Sequence, residues 1–503
     1  MPSYIYFFIA AGALIAGYAI YSRVIEACFG ANDKYVTPAK AMADGVDYIV
    51  MPTWKVFLIQ LLNIAGVGPV FGPILGAIYG PAALFWIVLG TIFAGGVHDY
   101  FSGMLSCRAC GDSIPDVVGE NLGNAFKQFM RVFAIVLLLL VGVVFVKAPA
   151  GILAGLVDRF IPDLNAAQLT NIFVGVIFVY YLLATLLPID KIIGRLYPIF
   201  AVVLIFMAVG VLGGLMFHGY EFYPTLELPA SAQEHIKNLP LWPVMFITIA
   251  CGALSGFHAT QSPLMARCLD NEGHGRGVFY GAMVTEGLIA LIWATAGMIA
   301  FYQPESFGLA SGILEEPTKI NPGAIVTNVS ISLLGLWGGA LAIIGVVVLP
   351  ITSGDTAFRA ARLTIADIFR INQRPYANRL MISIPLFIAG ISLTYIDFGV
   401  IWRYFGFANQ GLATVVLWAG AAYLVRKGSK MHWVASIPAA FMTAVCVAYI
   451  LLEKIGFHLD PTLSQQIGVV AGVISFIIFL LAKKRIAANP VEDFTPCGER
   501  VRQ

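Results

Sequence analysis

One apolar stretch, Trp54 to Tyr79, is interrupted at its middle by Gly66-Val67-Gly68-Pro69-Val70-Phe71-Gly72-Pro73. Each interior proline costs a helix roughly 3 kcal/mol and each glycine about 1 kcal/mol relative to alanine. Two prolines and three glycines in one octet therefore predict an unwound segment. The stretch is otherwise long and apolar enough to cross a bilayer. Backbone groups freed at that depth find no water, and they persist only where protein packs over them or where they line a polar cavity. Secondary transporters place substrate and ions at such interruptions.

The whole chain fits a membrane setting, being 59% hydrophobic and only 12% charged over 503 residues, with a mean hydropathy of +0.85. About thirteen stretches are long enough to span, starting with Tyr4 to Tyr21. That first stretch lacks a positive n-region and a clear cleavage site, and it reads as a retained helix. Further spans are expected near Ala82 to Leu105, Phe133 to Leu156, Ile172 to Ile189, Tyr197 to Phe217 and Pro243 to Ala266. Others follow near Val278 to Phe301, Ile331 to Thr352, Leu380 to Asp397, Phe405 to Val425, Trp433 to Leu452 and Leu463 to Leu481.

Loop charges orient these spans. With the N-terminus outside and the C-terminus cytoplasmic, only Arg159, Lys237, Lys319, Arg403 and Lys454 fall outside and Lys147 within a span. The other basic residues lie on the inner side. External loops carry acids instead, among them Glu221, Glu227, Glu234, Glu305, Glu315, Glu316, Glu453 and Asp460. The net charge of +2 gives no reason to expect nucleic acid as a partner; lipid and a small solute are the partners expected, and the oligomeric state is left open.

The organisation that follows is an N-terminal helix and cytoplasmic loop (1–53), a five-helix set (54–217), a second five-helix set (241–425) and two C-terminal helices with a tail (426–503). Five is odd, so the two sets have inverted topology. The second opens on Gly252-Ala253-Leu254-Ser255-Gly256-Phe257-His258, which either unwinds or uses Gly252 and Gly256 for close helix packing.

Several segments resemble the carbon-starvation protein A family of membrane transporters. They are Asp44-Gly45-Val46-Asp47-Tyr48, Ile64-Ala65-Gly66-Val67-Gly68-Pro69 with Gly72-Pro73, and Ala94-Gly95-Gly96-Val97-His98-Asp99. Later come Phe246-Ile247-Thr248-Ile249-Ala250-Cys251-Gly252-Ala253-Leu254-Ser255-Gly256-Phe257-His258-Ala259, Phe358-Arg359-Ala360-Ala361-Arg362 and Phe405-Gly406-Phe407-Ala408-Asn409-Gln410. The resemblance implies an all-α, LeuT-like fold of inverted repeats with a discontinuous first helix in each. It also implies peptide import under carbon limitation, or proton-coupled pyruvate import, across the inner membrane. Two departures stand out: a His pair often found upstream of the first break is replaced here by Ile59-Gln60, and the chain is shorter than better-known members.

Ionisable groups inside spans are costly and serve as site candidates. Lys147 either holds a substrate carboxylate, exchanges a proton or reaches to the interface. Glu286 either carries a coupling proton or pairs with an arginine. Thr352, Ser353 and Asp355 end their expected span, where they cap a helix or, as the LeuT-like resemblance implies, hold sodium with carbonyls near Ala65 and Gly68. His98, Asp99 and His258 either titrate or bond neighbouring helices. Asn409 and Gln410 are expected to bond between helices. The substrate set is thus Gly66, Gly68, Pro69, Gly72, Lys147, Gly252, Ser255, Gly256 and His258. The ion-coupling set is Ala65, Gly68, Thr352, Ser353, Asp355, Glu286, His98 and Asp99.

Seven cysteines without regular spacing argue against a disulfide framework. Cys107 and Cys110, the C-x-x-C pair, are ordinary reduced thiols or a zinc or redox pair. Walker, H-E-x-x-H and G-x-S-x-G patterns are missing, so neither ATP-driven pumping nor hydrolysis is indicated. No cofactor is expected beyond a coupling proton or sodium ion. The function expected is import of a small carboxylate nutrient; a nutrient sensor or a channel is the alternative.

Overall fold

The structure is a computed structural model that describes residues 4–45, 47–161, 165–186, 189–220, 239–310, 313, 320–373, 375–491 and 497; for 166, 186 and 189–198 it describes the backbone alone. Val46, Glu221, Glu227, Glu234, Lys237, Glu315, Glu316, Lys319, Arg374, Arg500 and Arg502 lie outside the described residues, as do the side chains of Lys191 and Arg195.

The chain is helical throughout its core. Helix α1 is Tyr4–Phe29, α2 Pro38–Ala41, α3 Thr53–Ile64, α4 Gly68–Gly76, α5 Ala82–Gly90 and α6 Gly96–Arg108. The short α7, Ile114–Leu122, leads into α8, Asn124–Phe160, followed by α9, Ala166–Leu186, and α10, Ile189–Phe217. Next are α11, Leu241–Thr248, α12, Gly256–Ala266, and α13, Gly281–Tyr302. The last five are α14, Pro322–Phe369, α15, Tyr376–Thr394, α16, Phe398–Arg426, α17, Trp433–Leu452, and α18, Pro461–Ala487.

Among the described residues, 11 helices are long and apolar enough to cross a membrane, and α3 with α4 forms one further span bent by 49°. This is a multi-span membrane protein. Helices α11 and α12, at 8 and 11 residues, are each too short to cross alone; the expected count of about thirteen takes them together as one interrupted span. Several helices start where the sequence supplies an acceptor for the orphan N–H groups of the first turn. Asn321 accepts from Gly323 and Ala324 ahead of α14, Asp397 from Val400 ahead of α16, and Asp460 from Leu463 ahead of α18.

Burial separates centre from periphery. The window containing α13 is 89% buried, whereas α18 is 17% buried and shows apolar side chains outward, as a lipid-facing helix does. Around α13 lie α4, α3 and α1; α12 packs on α6, α3 and α16; and α8 lies along α14.

Two expectations are corrected here. Thr352, Ser353 and Asp355 do not end a helix: α14 runs on to Phe369, its one non-helical residue being Gly335 at φ 69°. The apolar window was truncated by Asp355, Arg359 and Arg362, which are buried within the helix rather than exposed past its end. The C-terminal cap reading therefore falls. Cys110 is not a reduced thiol, since it is joined to Cys497 in a disulfide. The partners are 387 residues apart, beyond any spacing rule, while Cys107 remains a free, buried thiol.

Candidate functional site

The first break is narrower than the sequence suggests. Only Ala65 to Val67 leave the helix. Pro69 sits in the first turn of α4, where an N–H has no intrahelical acceptor and its loss costs little. Pro73 lies inside α4. The unwound residues thus precede the prolines instead of including them.

The second break is longer, residues 249–255, with Gly252 at φ 89°. That left-handed conformation admits glycine without steric cost. Unwinding, not helix packing alone, is what this segment does. Its freed backbone groups find partners on neighbouring helices. Trp86 Nε1 donates to the Ile249 carbonyl at 3.0 Å and Thr91 Oγ1 to the Gly252 carbonyl at 2.8 Å. Asn409 Oδ1 accepts from Phe257 N at 2.7 Å, at the start of α12, and Asn409 Nδ2 donates to Ser255 Oγ at 3.1 Å. Gln410 Nε2 donates to the Phe246 carbonyl at 3.0 Å. Both amides thus bond between helices, as expected, and Asn409 fixes the second break.

The breaks touch each other. A Cβ on Gly68 would collide with the Cys251 side chain, and one on Gly72 would come within 2.9 Å of the Thr248 carbonyl oxygen. Gly66 faces the Phe145 ring and Gly256 the Asn409 carbonyl, each too closely for a side chain. Glycine at these positions lets two backbones pass at contact distance.

On one side of this crossing lies a cavity of about 740 Å³. Its lining includes Phe71 of α4, Thr248 at the end of α11, Trp402, Lys147, Asp397 and Arg159. Lys147 Nζ donates to the Ile396 carbonyl at 2.5 Å, so the amine is placed on the cavity wall and not on the breaks. The sequence missed the aromatic lining and Asp397; an acid closing an expected span was the one available sign.

Of the expected ion-coupling residues, Ser353 Oγ donates to the Leu62 carbonyl at 3.0 Å, one turn before the first break, while Thr352 Oγ1 donates back into α14 at the Leu349 carbonyl, 2.8 Å away. Ala65 ends α3 with its N–H on the Leu61 carbonyl. Asp355 faces Arg359 at 3.5 Å, and Arg359 also donates to the Ala184 carbonyl.

A separate polar array lies behind the second break. Asp99 stands between two imidazoles, with its Oδ1 2.8 Å from His98 Nδ1 and its Oδ2 2.9 Å from His258 Nδ1. His258 Nε2 is 3.4 Å from Glu286 Oε2. All four residues are fully buried. The partner of Glu286 is therefore a histidine, not the arginine considered from sequence. Cys251, not singled out by sequence because a buried thiol resembles an apolar residue, closes the group beside Ser255 at 3.4 Å.

The profile of the family described as carbon starvation protein CstA matches residues 3–156, 161–309 and 321–448. The chain belongs to that family. Peptide transporter CstA of Bacillus subtilis (strain 168) is 27% identical over 556 aligned positions, covering 91% of this chain and 92% of that protein. The pyruvate/proton symporter BtsT of Escherichia coli (strain K12) is 28% identical over 347 positions, 57% of this chain and 47% of that one. Among solved structures, MhsT in complex with L-phenylalanine matches with a TM-score of 0.55 at 13% identity, covering 86% of this chain and 99% of that one. MhsT has the LeuT fold, and this CstA-family chain shares that architecture. The similar proteins are transporters, not enzymes.

Proposed function

We propose that this chain is a secondary active importer of a small carboxylate-bearing nutrient, a short peptide or a keto acid such as pyruvate. It would work across the inner membrane by alternating access, driven by a proton or sodium gradient. The observation that carries this reading is the cavity of about 740 Å³ lined by Phe71 of α4 and by Thr248, the last residue of α11, on helices that flank the two interruptions. A volume of that order suits a small organic solute. Interrupted helices in contact supply the two-state element that a carrier needs and a fixed pore does not.

The substrate carboxylate would meet Lys147 on the cavity wall and the N-terminal end of α4, where the helix dipole favours negative charge. Ser353, against the α3 carbonyl end, is placed to report occupancy of the first break. Names of relatives support both peptide and pyruvate as cargo. Inverted five-helix repeats, with the N-terminus outside and the C-terminus cytoplasmic, complete the proposal.

Purified protein in proteoliposomes tests it. Labelled pyruvate and labelled dipeptide are competed for uptake at two external pH values, with and without sodium. Accumulation against the substrate gradient that collapses when the ion gradient is removed is the expected result. Binding without flux would select a membrane-embedded sensor, and flux that only equilibrates would select a channel.

A further inference from the structure

Three side chains of different chemistry converge behind the second break. A ligand atom from each of Cys251, His258 and Glu286 lies within 4.8 Å of the other two, and all three residues are buried. They come from the unwound 249–255 segment, the first turn of α12 and the second turn of α13. Among the described residues, His258 Nε2 and both carboxylate oxygens of Glu286 have no hydrogen-bond partner, apart from the 3.4 Å ion-pair contact between them. Buried polar atoms left this way are costly, and an ion at the spot is one physical resolution.

The rest of the array points the same way. The Asp99 carboxylate, 2.9 Å from His258 Nδ1, accepts that N–H and so turns Nε2 away from Asp99, where a metal would replace the Nε2 proton. Nε2 faces Glu286 Oε2 at 3.4 Å. A carboxylate behind the imidazole is the arrangement that orients histidines toward metals. His98 on the other oxygen of Asp99 holds the carboxylate in turn.

We propose that Cys251, His258 and Glu286 form a binding site for a divalent transition-metal ion of the zinc class, with Asp99 as its positioning residue. A thiolate, an imidazole and a carboxylate together suit zinc or cobalt(II), whereas magnesium and calcium take oxygen ligands. Thiolate and carboxylate carry two negative charges, which a divalent cation neutralises inside a fully buried site. Metal–ligand bonds of about 2.0–2.3 Å bring tetrahedral ligand atoms to about 3.5 Å apart, so small side-chain movements close the set. Cys251 also lines a narrow cleft with Gly68, Thr248, Trp402 and Phe405 that is closed to a water-sized sphere, so an ion and its fourth ligand would enter as the second break moves; Thr248 and Trp402 also line the large cavity. A bound ion would tie the unwound segment to α13 and hold the second break in one conformation, whatever solute the protein carries.

The full chain, purified in detergent and stripped with chelator, is titrated with Co²⁺ and then Zn²⁺. Expected are a near-ultraviolet thiolate-to-cobalt charge-transfer band and visible bands of a four-coordinate site, saturating at one ion per chain and displaced by Zn²⁺. Cys251→Ser removes the charge-transfer band, Glu286→Gln weakens binding at least about tenfold, and Asp99→Asn weakens it about 10–100-fold. The buried thiols Cys107 and Cys446, outside the group, give Cys→Ser controls with unchanged titrations. If Cys251→Ser fails to fold, as judged by size-exclusion chromatography, the Glu286→Gln titration decides. No charge-transfer band in the folded parent protein, a band that survives Cys251→Ser, or a Glu286→Gln titration matching the parent overturns the proposal.

Discussion

At the scale of single residues, the informative groups are those whose partners are known. Ser353 donates to the Leu62 carbonyl at 3.0 Å, one turn from the first interruption. Ser353→Ala leaves that buried carbonyl without its donor, at a cost of about 1 kcal/mol. A lower melting temperature together with reduced uptake is expected; parent-like uptake would detach Ser353 from the moving part. Lys147 belongs to the cavity wall, and the Ile396 carbonyl takes one of its three donors. Lys147→Ala is expected to raise the KM for a carboxylate substrate about tenfold or more, the worth of a charged hydrogen bond, with expression intact. Sequence marked Lys147, His98, Asp99, His258 and Glu286 each as a charge or imidazole in an apolar span. Their sorting into a cavity wall and a buried array was not legible, because α6, α12 and α13 meet only through the tertiary fold.

At the scale of elements, the two interruptions differ in how sequence encodes them. Around Pro69 the chain reads as broken across the whole Gly-Pro octet, but a proline in a first helical turn is tolerated, so the unwinding shifts back to residues 65–67. In the second, no proline announces the break. Gly252 at φ 89° and the donors Trp86 and Thr91 make it, and those donors sit on the α5 side of the fold. The contact between the breaks gives a sharp test. Gly72→Ala would put a methyl 2.9 Å from the Thr248 backbone oxygen, a neighbour that cannot rotate away. Uptake is expected to fall at least tenfold in folded protein. Gly12→Ala, with nothing within 4 Å, is expected to be neutral in the same assay. Equal activity of the two variants would mean that the breaks do not need this close approach.

At the scale of the whole molecule, the crossing is open toward one face and tied together toward the other. The cavity reaches Arg159, Arg403 and Glu453, residues that charge segregation assigns to the exterior. Toward the opposite face, Arg108 grips Glu272 through two contacts of 2.9 and 3.1 Å, Arg267 donates to the Gly111 carbonyl at 2.9 Å, and Gln60 reaches Ser262 at 3.5 Å. The many-span helical character was legible from hydropathy and the LeuT-like fold from the family resemblance; the face toward which the cavity opens was not, since both states of a carrier share one sequence. With the proposed orientation the state would be outward-facing, and that has a labelling consequence. Asn328 lines the cavity, so Asn328→Cys in intact cells is expected to react with a membrane-impermeant maleimide above the parent background, and saturating substrate is expected to slow that reaction. Ser429→Cys, between α16 and α17 on the face assigned to the cytoplasm, is expected to react only after permeabilisation. Labelling of position 429 in intact cells would reverse the orientation, and substrate-independent labelling at 328 would separate the cavity from the transport path.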